Sequence, residues 1–180
     1  KGVCNFTNPY GNFPYWADGK FGKSLDFDGW NVCAYAFYTA KEYAFGLRPF
    51  TVEAWIMPRE GVEQTANAEL LDNDQFWALR YGIGPNSLEG IVNENDPPML
   101  YDSPDGVLVP GEWQHVAMTY GGPGGKYRLW RNGKVVFQTT IDPLSTANPD
   151  RTSPQITIGR SSYMGAYYFD GLIDEVRISR

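Results

Sequence analysis

The residues best able to do chemistry in this chain are its acids, and three of them gather around glycines and the closing strand. Asp28 stands in "DFDGW", Asp170 in "YFDG" and Asp174 in "LIDEVRIS". Two acids about 5–9 Å apart across a sugar ring would hydrolyse a glycosidic bond. The sequence offers no such pair. Asp174 and Glu175 are adjacent, so on a strand they point to opposite faces. Glu53 has no acid at a same-face spacing. Glu94-Asn95-Asp96 runs into Pro97-Pro98, which a central strand does not tolerate. His115 is the only histidine, and its neighbours Trp113, Val116 and Ala117 suit a hydrogen-bonded core residue better than a base. No Gly-x-Ser-x-Gly turn is present to hold a nucleophilic serine. The residues therefore favour a binding role over a hydrolytic one.

Asp174 raises a separate question. Read as an uninterrupted strand, Leu172, Asp174, Val176 and Ile178 share one apolar face. A lone carboxylate there costs on the order of several kcal/mol unless it is paired or ligates a cation. Arg177 or Arg48, backbone N–H groups near the chain start, or a hard cation would each satisfy it.

Composition narrows the ligand. The chain has 180 residues and a formal charge of −6, with its basic residues scattered. That pattern excludes a nucleic-acid surface, which needs a basic stripe, and no apolar run approaches the ~20 residues of a membrane span. Aromatic residues make up 16% of the chain. Aromatic faces stack against sugar C–H groups, while flanking polar groups bond hydroxyls. Trp77, Arg80 and Tyr81 in "DNDQFWALRYG", with Tyr163 and Tyr167 in "SSYMGAYYF", are the candidate ligand-binding residues. Trp77, Leu79 and Tyr81 share one face of their strand, Ala78 and Arg80 the other. Either face suits the core. Cys4 and Cys33 either form a disulfide or remain two buried thiols; without clustered histidines they make no zinc site.

The elements that must position these residues are strands. No segment of a dozen residues keeps a 3.6-residue period free of Gly or Pro. Alternating runs cover 24–27, 32–39, 50–57, 68–71, 75–81, 87–92, 113–120, 127–131, 134–139, 155–159 and 172–179. Asn132-Gly133 is a strong hairpin signal. Residues 93–105, 141–154 and 161–169 read as loops. Many short strands without helices predict one all-β domain over 1–180, an antiparallel β-sandwich or a barrel. Residues 1–18 remain an unplaced segment packed on it. The start at Lys1 fits a piece of a longer protein.

The order of segments narrows this further. "GKFGKSLDFDGW", "FTVEAWIMP", "GEWQHVAMTYGG", "YRLWRNGKVV", "ITIGRSS" and "YFDGLIDEVRISR" resemble the laminin-G-like, concanavalin A-like jelly-roll family, from about Gly19 to the C-terminus. The resemblance implies a sandwich in which Trp55, Trp113 and Trp130 are core. It implies a structural calcium ion tied to the last strand, with Asp28, Asp170 and Asp174 as its carboxylates. It lacks the Glu-x-Asp-x-x-Glu strand of the fold's hydrolases. The expected function is a non-catalytic carbohydrate-binding module, extracellular or on the cell surface, with a polysaccharide or glycan as partner. A protein-binding adhesion module, with a cell-surface or matrix partner, and a hydrolase or lyase of the same fold are the alternatives.

Overall fold

A computed structural model of the chain describes residues 14–37, 48–73, 77–92, 99–142, 155–162 and 166–180. These form two antiparallel sheets facing each other. The seven-stranded sheet has the order β1 (Tyr15–Asp18), β2 (Lys23–Asp28), β13 (Asp170–Ser179), β4 (Phe50–Pro58), β9 (Gln114–Tyr120), β10 (Lys126–Arg131), β11 (Lys134–Thr140). The six-stranded sheet has the order β3 (Ala34–Phe37), β12 (Gln155–Ile158), β5 (Glu69–Asn73), β6 (Trp77–Tyr81), β7 (Leu88–Val92), β8 (Met99–Asp102). No helix occurs among the described residues. The fold is the antiparallel sandwich that the alternation predicts.

Two strands escaped the sequence reading. β1 lies inside the segment left unplaced, and β8 inside the stretch read as a loop. Both are four-residue strands at the edge of a sheet. Neither contains a buried residue, so neither shows a hydrophobic period.

The core lies between the sheets. β4 alternates strictly, with Phe50, Val52, Ala54 and Ile56 inside. Phe50 meets Tyr120 from its own sheet and Trp77 from the opposite one, with ring centroids 5.4 and 6.3 Å apart. Trp77, Leu79 and Tyr81 are thus the inward face of β6. At the far end, Asn132 and Gly133 take φ of 48° and 74°. Two positive φ values match the right-handed twist of the β10–β11 hairpin.

The outward side of the six-stranded sheet holds a transverse charged row. Register places Glu69, Arg80, Glu89 and Asp102 side by side on β5, β6, β7 and β8. Arg80 Nη1 donates to Glu69 Oε1 at 3.1 Å, and Arg80 Nε and Nη2 donate to Glu89 Oε1 at 3.0 and 2.6 Å. The Glu69 and Glu89 side chains are each only 2% exposed. Burial pushes the Glu89 carboxyl up, and Arg80 opposes that shift. Burial likewise raises the Asp102 carboxyl, with Arg80 pulling it down. One guanidinium therefore holds two buried carboxylates.

The closing strand β13 lies between β2 and β4, and it is not an uninterrupted strand. Asp174 pairs with Trp55 and Arg177 with Glu53, so three residues on β13 face a two-residue step on β4. This is a β-bulge, and Glu175 within it has φ of 48°. Ile173 on one side of the bulge and Ile178 on the other both point toward the core. The predicted single face through Leu172, Asp174, Val176 and Ile178 is therefore corrected. Asp174 lies on the outward face, level with Trp55, and is buried from above.

The cover is the β1–β2 loop, residues 19–22. Asp174 Oδ2 accepts from Phe21 N at 2.9 Å, and Asp174 Oδ1 accepts from Glu175 N at 2.8 Å. Backbone N–H groups thus answer the buried carboxylate. Gly19 approaches so closely that a Cβ there would lie 2.6 Å from Asp174 Oδ2.

Two outcomes follow from this geometry. Arg80→Met leaves two buried carboxylates without their guanidinium and is expected to cost about 3–5 kcal/mol at neutral pH in denaturant unfolding. In that variant the folded-state carboxyl pKa values rise above the unfolded ones. Folding then takes up protons, so stability falls as pH rises through the carboxylate range. The deficit should therefore shrink on acidification; a deficit independent of pH would contradict the ion-pair account. Asp174→Ala is expected to cost about 1–3 kcal/mol and to release the 19–22 loop, seen as faster amide exchange at Phe21.

Candidate ligand-binding cleft

Above the bulge, the outward face of the seven-stranded sheet carries aromatic and polar side chains in rows set by register. One row runs Asp174, Trp55, His115 across β13, β4 and β9, and reaches the β10–β11 turn at Asn132. There His115 N donates to Asn132 Oδ1 at 2.9 Å, and Asn132 N donates to the His115 carbonyl at 2.8 Å. The next row runs Arg177, Glu53, Ala117, Trp130. Ala117, between Glu53 and Trp130, is buried.

Trp55 is the centre of this surface. His115 leans against it with ring centroids 5.6 Å apart. The 19–22 loop adds two residues from the other side. Phe21 meets the indole edge-on at 5.9 Å, and Lys20 Nζ stands 4.8 Å from the ring centroid. Trp113, Asn132 and Gly133 complete the lining of a cleft of about 520 Å³ with Lys20, Trp55 and His115. Glu53 is held at its margin. Its Oε2 lies 3.2 Å from His115 Nε2 and its Oε1 3.6 Å from Arg177 Nη1. Trp130 Nε1 donates to Thr119 Oγ1 at 3.0 Å.

This corrects several expectations. Trp55, Trp113 and Trp130 are not core residues; all three are half-buried on the outer side. His115 is there too, paired with Glu53 rather than sealed in the core. Alternation around the buried Val52, Ala54 and Ile56 already places Glu53 and Trp55 together on the opposite face, a signal the family-based reading overrode.

The residues predicted to bind ligand do not converge. The Trp77 and Tyr81 rings are buried between the sheets, so neither offers a face for stacking from solvent. Tyr81 also lines a second cavity, of about 420 Å³, at the sandwich end beside Gln64 and Asn86. Arg80 is engaged in the buried charged row on the opposite side of its strand. Tyr167 is half-buried with φ of 58°, and its carbonyl accepts from Glu69 N at 2.9 Å. Tyr163 lies outside the described residues. The buried acids Glu69 and Glu89 were missed, because only the β5–β6–β7 register brings them to one guanidinium.

The carboxylates named for calcium are each committed elsewhere. Asp28 Oδ1 accepts from the backbone N–H groups of Trp30, Asn31 and Val32 at 3.0–3.2 Å. Asp170 binds the Arg59 guanidinium, which also donates to Asp26 Oδ1 at 2.6 Å and to the Phe27 carbonyl at 3.1 Å. Asp174 is four strand positions from Asp170, roughly 13 Å along an extended chain. Calcium ligands lie 2.3–2.6 Å from the ion, so the three do not fit one shell. Among the described residues no group of three or more His, Cys, Asp or Glu converges on a point. Cys33 is buried as a free thiol; Cys4, its expected partner, lies outside the described residues.

Comparison with known proteins gives the lineage. No curated protein sequence matches the chain. Among solved structures, domain 4 of an extracellular GH43 arabinanase from Geobacillus stearothermophilus, bound to arabinotriose, superimposes with a TM-score of 0.69. It is 21% identical, over 94% of this chain and 76% of that one. The CBM40 domain of the Ruminococcus gnavus IT-sialidase, bound to α2,3-sialyllactose, has a TM-score of 0.63 at 13% identity, over 87% and 89%. The binding domain of botulinum neurotoxin serotype D/C has a TM-score of 0.66 at 14% identity; the match covers 94% of this chain but only 42% of that one. At these identities the likeness is one of fold. A family model matches residues 34–180, and on that match the chain belongs to the Laminin_G_3 family of the concanavalin A-like lectin/glucanase superfamily.

Proposed function

We propose that this chain is a non-catalytic carbohydrate-binding module acting outside the cell or at its surface, and that it holds its glycan in the cleft around Trp55. The observation that carries the reading is an indole presented on an open sheet face with His115, Asn132 and Lys20 around it. Apolar sugar C–H groups favour the negative face of such a ring. Hydroxyl groups need planar or charged donors close by, which the same three side chains supply. The arabinotriose and sialyllactose bound by the two fold relatives support a glycan as ligand class.

The acids around the cleft support binding without hydrolysis. Glu53 is engaged by His115 and Arg177. Both oxygens of Asp174 accept backbone N–H groups under the loop. Glu69 and Glu89 are buried on the other sheet. A protein-binding role is the second reading, favoured by the exposed Tyr15, Trp16 and Trp30 near the β1–β2 hairpin.

Titration of pure protein with a panel of soluble oligosaccharides tests the proposal. Trp55→Ala and Trp113→Ala are each expected to weaken binding at least ~10-fold, about 1.4 kcal/mol, with little change in melting temperature. Trp30→Ala should bind as the parent does. Undiminished binding in both cleft variants, or release of reducing sugar by the pure protein, would sink it.

A further inference from the structure

The cleft carries more positive charge than a neutral sugar calls for. Lys20 reaches it from the latched loop and stands over the Trp55 ring. Among the described residues, no carboxylate lies within ion-pair distance of its ammonium group. Asp18, the nearest acid in sequence, is paired with Lys23 at 2.6 Å instead. Asp174, directly beneath the loop, gives both oxygens to backbone N–H groups. Glu53 lies at the cleft margin, and two partners flank it. Arg177, whose side chain is 67% exposed, adds a further cation on that side. The open charge facing the ligand is therefore positive, in a chain whose total is −6.

That contrast matters physically. A net-negative protein repels a polyanion at long range, so an anion-selective site must supply its attraction locally, within about a Debye length of ~8–10 Å. The Trp55 ring attracts the Lys20 ammonium and keeps it over the cleft, so a ligand anion meets a charge already in position. The loop that carries Lys20 is pinned by Asp174 rather than left to swing, which lowers the ordering cost of the contact.

We infer that the cleft selects glycans bearing an anionic group, a uronate-type carboxylate or a sulfate ester, with Lys20 as its counter-charge. This rests on the cleft being the glycan site. Arg177 reinforces the local field without touching the anion.

Calorimetric titration with matched pairs tests it. One arm compares trigalacturonate with its methyl ester; the other compares a sulfated galactan oligosaccharide with its desulfated form. The expected result is that the charged member of at least one pair binds ten times or more tighter than its partner. The arm that shows this identifies carboxylate or sulfate. The preference should fall as NaCl rises from 50 to 300 mM. Lys20→Gln should abolish the preference and Lys20→Arg should retain it, with melting curves confirming that both variants fold. Equal affinity within both pairs, a preference that survives Lys20→Gln, or no binding of either charged probe overturns the inference. If neutral oligosaccharides still bind and Trp55→Ala removes that binding, the glycan reading stands while charge selection falls. If Trp55→Ala changes no glycan affinity, both fall.

Discussion

One extra residue in β13 sets the geometry of the whole seven-stranded sheet. The strand pairs with β2 along one edge and β4 along the other, and its core residues Ile173 and Ile178 are separated by an odd number of positions. In a regular strand such residues point to opposite faces. The bulge between Asp174 and Arg177 absorbs the mismatch, so both halves of the strand bury their isoleucines. It also turns Glu175 into the left-handed region and aims its N–H at the Asp174 carboxylate. From that one irregularity follow the buried acid, the loop it holds, and the placement of Lys20 and Phe21 over Trp55.

The two sheets treat charge in opposite ways. On the six-stranded sheet, Glu69, Arg80 and Glu89 form a buried group with three guanidinium hydrogen bonds. Its parts are costly to remove singly and offer nothing to a ligand. On the seven-stranded sheet, Glu53, His115 and Arg177 are longer-range partners at 3.2 and 3.6 Å, partly open to water. Groups held loosely at a surface are free to exchange partners with an arriving hydroxyl. Arg59 has a third role, as a clamp exposed to solvent. It ties Asp26 and Asp170 together from residues far apart in sequence.

Much of this was legible in the residues. The strands and the Asn132-Gly133 hairpin followed from alternation and turn chemistry, because β4 buries every second side chain and β10 alternates from Lys126 to Trp130. β1 and β8 were not legible, since each is only four residues long and contains no buried residue. The site was legible only in part. Alternation on β4 put Glu53 and Trp55 on one face, but the family resemblance led Trp55, Trp113 and Trp130 to be read as core. The bulge inverted the reading of Asp174, as a one-residue insertion leaves no mark on composition or spacing. Trp77 and Arg80 were correctly assigned to opposite faces of β6, yet which face was inward depended on strands distant in sequence.

The position of β13 also governs the order in which the molecule can assemble. The loop that walls the cleft belongs to the β1–β2 hairpin, and the indole beneath it belongs to the β4–β9–β10–β11 group; β13 is the strand that joins them. The bond from Phe21 to Asp174 closes across 153 residues of sequence. Until β13 has been made, the two halves have no edge in common, and β2 and β4 each present unpaired backbone. Loop closure over such a separation is slow, and exposed strand edges recruit other strands in the meantime. The cleft is therefore complete only once β13 is in place, since it is the strand that brings the Lys20 loop alongside Trp55.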